Sequence, residues 1–136
     1  MRCISIIITM LLLTQLLKAP NDNRLVIVQT KSIQPYEALF KAVCKVESDN
    51  DPLAVGDKHL KNYSYGICQI RQIRLDDYYN RTGIKYTTKD ILDPVKSKEV
   101  FMYFMMQYND VNYAIRKWNG SGAKTYTYLN KVKKHL

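Results

Sequence analysis

VCKVESDNDPLAVG, residues 43–56, carries a glutamate on the apolar side of a helical pattern and then breaks into turn-forming residues. Upstream, Tyr36, Leu39, Phe40, Val43, Val46 and Glu47 recur at spacings of three and four, the period of one helix face. Glu47 stands above Val43 and in line with Phe40 and Tyr36, away from the side that holds Lys41 and Lys45. Pro35 suits the first turn of this helix. A carboxylic acid on such a face loses hydration in its charged form, which raises its pKa and keeps a proton available near neutrality. The same spacing also fits a helix-end glutamate that reaches water, and periodicity leaves both readings open.

Outward from this helix the chain reads as mostly helical, with its strands in the middle. Residues 48–66 are rich in turn formers and predict an irregular excursion with a short hairpin. ICQIRQIRLDDYYNRTG, residues 67–83, reads as a strand end running into a helix that Gly83 stops. Asp93 and Pro94 form an N-cap and first turn that open a long helix through VFMYFMMQY, the most buried of the set. Asp110 caps the next helix, which ends at NGSG, and a last helix runs from Lys124 to about Lys134. The fold class is mainly α (α+β) in a single domain at 34–136, without repeats or low-complexity segments.

The first 19 residues have a basic residue at position 2 and an apolar run from Ile4 to Leu17 before the small residue Ala19. This is the pattern of a secretory signal, with an uncleaved anchor as the alternative. Residues 20–33 follow as an N-terminal arm or a short strand. Removing 1–19 takes away Arg2 and Lys18 and no acid, so the formal charge falls from +9 to +7. A basic, exported chain suits an anionic surface or wall polymer and argues against nucleic acid as the ligand. Two cysteines, Cys44 and Cys68, remain beyond the signal; they allow one disulfide or two buried thiols. His59 and His135 are the only histidines, and no His/Cys/Asp grouping has the spacing of metal ligands, so neither a metal nor a cofactor is expected.

Four segments in order carry a resemblance: Glu47-Ser48 with Pro52 and Ala54 after it, Gly66-Ile67-Cys68-Gln69, the DILDP of 90–94, and Ala114-Ile115 running to Trp118-Asn119-Gly120. Over about residues 34–133 the chain resembles the soluble lytic transglycosylases, muramidases of the lysozyme-like fold. The chain departs from that pattern at Trp118, where the family usually has tyrosine, at Cys68, where it has methionine, and at Arg116-Lys117, where small residues are common.

The resemblance implies a lysozyme-like domain with its small β region after the catalytic helix. It also implies an enzyme that cuts the β-1,4 bond between N-acetylmuramic acid and N-acetylglucosamine, with Glu47 as general acid and then base. The product would be a 1,6-anhydromuramoyl end; hydrolysis by water is the alternative, and a non-catalytic wall-binding or assembly factor is another. Ser48, Gln69, Trp118, Asn119 and Tyr128 are the expected substrate-side residues, and Cys44 with Cys68 the candidate bridge. Asp49, Asp51 and Asp57 are the nearest second acids, and their turn-rich setting reads more simply as loop shaping. The implied partners are peptidoglycan glycan strands and components of a wall-spanning secretion or conjugation apparatus. The chain is expected to act as a monomer in the periplasm or cell envelope.

Overall fold

A computed structural model describes residues 33–136. The signal-like segment 1–19 and the arm that follows it lie outside the described residues, apart from Ile33, which opens the first helix.

Helix α1 (Ile33–Ser48) holds Pro35 in its first turn. Its inward stripe is buried as the spacing required: Leu39, Phe40 and Val43 are all in the core. The helix stops because Asp49 and Asn50 both take left-handed backbone, at φ 57° and 67°. Their N–H groups turn back to Lys45 O and Cys44 O, each at 3.2 Å, and satisfy the last carbonyls. This reversal fixes Glu47 in the final turn, where the chain leaves the core.

The excursion then makes a three-stranded antiparallel sheet of two-residue strands: β1 (Val55–Gly56), β2 (Ser64–Tyr65) and β3 (Ile70–Arg71). Register pairs Gly56 with Ser64 and Ser64 with Arg71, which sets those three residues in one row across the sheet. Gly66 follows β2 at φ +73°, and a Cβ there would lie 2.4 Å from the backbone oxygen of Ile91. A glycine is therefore required both for the backbone and for the close approach of the Ile91 turn.

Helix α2 (Gln72–Thr82) ends on Gly83, whose left-handed backbone returns its N–H to Tyr79 O. A 3-10 turn at Asp90–Leu92 leads into α3 (Pro94–Met105). Asp93 caps α3 by accepting from Val95 N, and Asp110 caps α4 (Val111–Asn119) by accepting from Asn112 N and Tyr113 N. Helix α5 (Lys124–Lys133) closes the chain. Helix α3 packs against α1, α4 and the 3-10 turn, and α5 lies on α4 and α1. Val100 and Phe101 at the centre of α3 are fully buried, as expected of the most apolar helix.

That helix is shorter than the apolar run VFMYFMMQY suggested. It ends at Met105, and Met106 is exposed at 60%. Phe104 and Met105 complete the core-facing stripe, and Tyr108 turns to stack edge-on against Tyr113 at 5.2 Å. The extended backbone that Asp110 needs to cap α4 leaves no room for another helical turn.

Candidate active site

The last turn of α1, the small sheet, the start of α2 and the end of α4 surround a cleft of about 380 Å³ that Glu47 lines together with Asp57, Gln69, Arg71, Arg74, Trp118 and Asn119. A second recess of about 370 Å³ adjoins it along α5, lined by Val46, Thr127, Tyr128, Lys124 and Lys131. Glu47 and Asn119 belong to both, so the groove runs past the glutamate on two sides.

Glu47 is held by Tyr128, whose hydroxyl donates to its Oε1 at 2.6 Å. Burial pushes the Glu47 carboxyl above its ordinary value. The Tyr128 bond pulls it back, the charge of Asp57 pushes it up, and Trp118 and Arg74 pull it down more weakly. Burial next to this acid pushes the Tyr128 phenol far up, so the hydroxyl stays protonated and serves as donor only. The second partner of the Glu47 carboxyl is the Trp118 side chain, whose weaker hydrogen bond also favours the ionised form.

Trp118 forms the apolar wall. Its ring is buried edge-on against Phe101 at 5.1 Å, and the Arg74 guanidinium lies over its other side at 4.4 Å. Arg74 also covers Phe104 at 4.8 Å and donates to Trp118 O at 3.0 Å. This clamp ties the start of α2 to the end of α4, from which Asn119 is exposed into the groove.

The remaining expected residues have mixed placements. Gln69 lines the cleft, but its Nε2 donates to Gly66 O at 3.0 Å and Ala54 O at 3.3 Å while its Oε1 accepts from Ser64 at 2.7 Å. Three of its four hydrogen-bonding positions are thus spent on the loops around it, and the fourth remains for a ligand. The Ser48 hydroxyl donates to Ile67 O at 2.9 Å and bonds neither Glu47 nor the cleft, so it braces the helix end against the sheet. Arg116 stacks on Tyr126 at 3.6 Å and donates to Thr125, and Lys117 lies over Tyr113, so both cations pack on their own helical corner.

Cys44 and Cys68 meet behind the acid with their sulfurs 3.3 Å apart, as two buried thiols in contact. Burial, then the neighbouring Cys44, pushes the Cys68 thiol well up, which leaves it a poor nucleophile. As thiols, both are expected to escape alkylation in the folded protein and to react once it unfolds. An intact mass at which these two positions stay unmodified after alkylating the unfolded, unreduced chain would instead show a bridge.

Sequence reasoning did not find Arg71 and Arg74. Arg71 closes β3 and Arg74 lies in the first turn of α2, and nothing local tied either to Glu47. Among the described residues no group of His, Cys, Asp and Glu could hold a metal ion, and no helix is long and apolar enough to cross a membrane.

The transglycosylase SLT domain family model matches residues 24–134 of the chain. The chain belongs to this family. No curated protein and no solved structure matches it. Membership makes the protein an enzyme of lytic-transglycosylase type, with the glycan strands of peptidoglycan as its substrate. The mainly helical architecture with a small three-stranded sheet is that of the lysozyme-like domain.

Proposed function

We propose that this transglycosylase uses Glu47 as its single acid and base and leaves 1,6-anhydromuramoyl ends. The observation that carries the reading is the state of Glu47: a buried carboxyl with a raised pKa that lines the groove and is pinned through Oε1 by Tyr128. With Tyr128 donating to Oε1, the proton of the acid belongs on Oε2. Oε2 gives that proton to the bridging glycosidic oxygen as the bond from C1 breaks, and the N-acetyl group of the muramoyl sugar shields the cationic C1. Glu47, now ionised, takes the proton of the C6 hydroxyl, and O6 closes on C1. The proton gained equals the proton lost, so the acid returns to its starting state without consuming water.

Trp118 supplies a dry wall beside the acid, and Asn119, shared by both arms of the groove, is placed to bind sugar on either side of the scissile bond. Gln69 and Ser48 act mainly by holding the loop that carries the cleft. The signal-like residues 1–19 support export to the periplasm or cell envelope, where a small basic enzyme acting as a monomer could open the wall locally for a secretion or conjugation apparatus.

Digestion of purified sacculi with the chain, followed by mass spectrometry of the released muropeptides, tests the reading. Anhydromuramoyl ends are expected. Reducing ends would reassign the reaction to hydrolysis, and sedimentation with the sacculi without cleavage would make the protein a wall-binding factor.

A further inference from the structure

The cleft contains a feature that a one-carboxylate mechanism leaves unused. Asp57 lines it together with Glu47, and Arg71 grips the Asp57 carboxylate with two donors, Nε at 3.1 Å and Nη2 at 2.6 Å. Both bonds go to Oδ2, and Oδ1 accepts none among the described residues. The sheet explains how the pair forms. Asp57 follows directly on Gly56, and the Gly56–Ser64–Arg71 row lets the arginine side chain reach across β2 to it. Asp57 also sits at φ 56°, a left-handed conformation that is uncommon outside glycine and is tolerated best by Asp and Asn. A turn that served only to reverse the chain would have no need of a charged side chain, clamped and facing the groove.

We propose that Asp57, fixed by Arg71, is an electrostatic element of the site: a permanent negative charge on the cleft that stabilises the cationic sugar which cleavage creates. This deepens the reading of Glu47 as the acid and rests on it. The arginine settles which of two roles a second carboxylate takes. Arg71 holds the Asp57 carboxyl below its ordinary value, so it stays ionised and is a weak base toward water. It therefore suits a fixed charge facing positive charge and does not suit the base of a hydrolytic reaction.

The same charge acts on Glu47, which it pushes toward the protonated form. Glu47 is faced by Tyr128 from α5, Trp118 from α4, Arg74 from α2 and Asp57 from the loop after β1, with the Cys68 thiol behind it. Lys124 and Lys131 line the adjoining recess. Asp57 itself is faced by Arg71 from β3, Ser64 from β2 and His59 within its own loop. Removing the negative member of the pair must lower the titration of Glu47, and removing the positive member must raise it.

Asp57→Asn is the informative change, because asparagine tolerates the same left-handed turn and still accepts from Arg71. Two readouts on the full chain test the proposal. In the first, binding of an N-acetylhexosamine iminosugar, whose ring nitrogen is protonated, is compared with that of the neutral sugar of the same shape. The wild type is expected to prefer the cation, and Asp57→Asn to lose that preference while binding the neutral sugar as before. In the second, the Glu47 carboxyl is followed by carbon NMR in a protein with only three glutamates, Glu37, Glu47 and Glu99. Its titration is expected to move to lower pH in Asp57→Asn and to higher pH in Arg71→Gln, with turnover in Asp57→Asn reduced roughly tenfold or more at little change in KM. Shifts of the same sign in both variants, or a cation preference that survives Asp57→Asn, would overturn the proposal. Neither the binding comparison nor the Glu47 titration needs cleavage to occur, so an inactive wild type would count against the catalytic reading of Glu47 and leave the charge pair to be judged on those two measurements.

Discussion

Glu47→Gln is expected to lower peptidoglycan cleavage by about 10²–10⁴-fold, the range a positioned acid–base contributes, while the fold stays intact. Glutamine has the same shape and still accepts the Tyr128 hydroxyl through its Oε1, where the native bond is 2.6 Å. It has no proton to give to a glycosidic oxygen. The variant should also be more stable than the wild type at neutral pH. Burial raises the Glu47 carboxyl above its ordinary 4.5, so the folded chain holds this proton more tightly than the unfolded one. Within the window between those two values stability falls as pH rises, and above it the full cost of the buried charge is present. Glutamine removes that cost. Thermal unfolding should therefore separate the two proteins at neutral pH and bring them together below 4.5. Undiminished cleavage by the variant would end the role given to Glu47, and a variant less stable at neutral pH would contradict the raised carboxyl.

Trp118→Ala is expected to cost about 3–5 kcal/mol of stability, the usual range for emptying a buried aromatic site. Against a total of about 5–15 kcal/mol for a domain, that is a large fraction. The ring is only 7% exposed, and its loss leaves gaps against both Phe101 and Phe104. It also strips one face from the Arg74 guanidinium, which lies 4.4 Å from the indole centroid. The second consequence concerns chemistry. Water admitted beside Glu47 reduces the desolvation that holds its pKa up, so the alkaline limb of the activity profile should move to lower pH. Trp118→Tyr, which restores the residue usual in resembling sequences, should recover most of the stability and the profile. Urea unfolding gives the first quantity and the pH dependence of kcat the second. An alanine variant within about 1 kcal/mol of the wild type, the scale of an ordinary surface change or less, would mean that the indole is not the wall described.

The parts of the fold that the chain spells locally were legible. Asp93, Asp110 and Gly83 mark helix ends through hydrogen bonds to residues within four positions, and each does so in the structure. The stripe of Leu39, Phe40 and Val43 faces the core because helical spacing leaves it no other side. The Glu47-Ser48 and Gly66 to Gln69 segments, which carried the family likeness, come together at the same cleft wall. Long-range pairings were not legible. Arg71 meets Asp57 across 14 positions and Arg74 meets Trp118 O across 44, and neither partner is implied by its neighbours. Short polar side chains were ambiguous for another reason. Ser48 and Gln69 can serve a ligand or a carbonyl equally well, and only the loop geometry shows the carbonyls already claiming them. Asp57 looked like one more turn residue because its charge matters only once the sheet brings Arg71 beside it.

The most direct test of the central claim is the origin of the oxygen at the new end of the glycan. Sacculi are digested in water enriched in oxygen-18, and the released muramoyl ends are weighed. Anhydromuramoyl ends with no heavy oxygen are expected, because O6 of the substrate closes on C1 and water takes no part. Reducing ends that carry the label at C1 would contradict it and would make the enzyme a hydrolase.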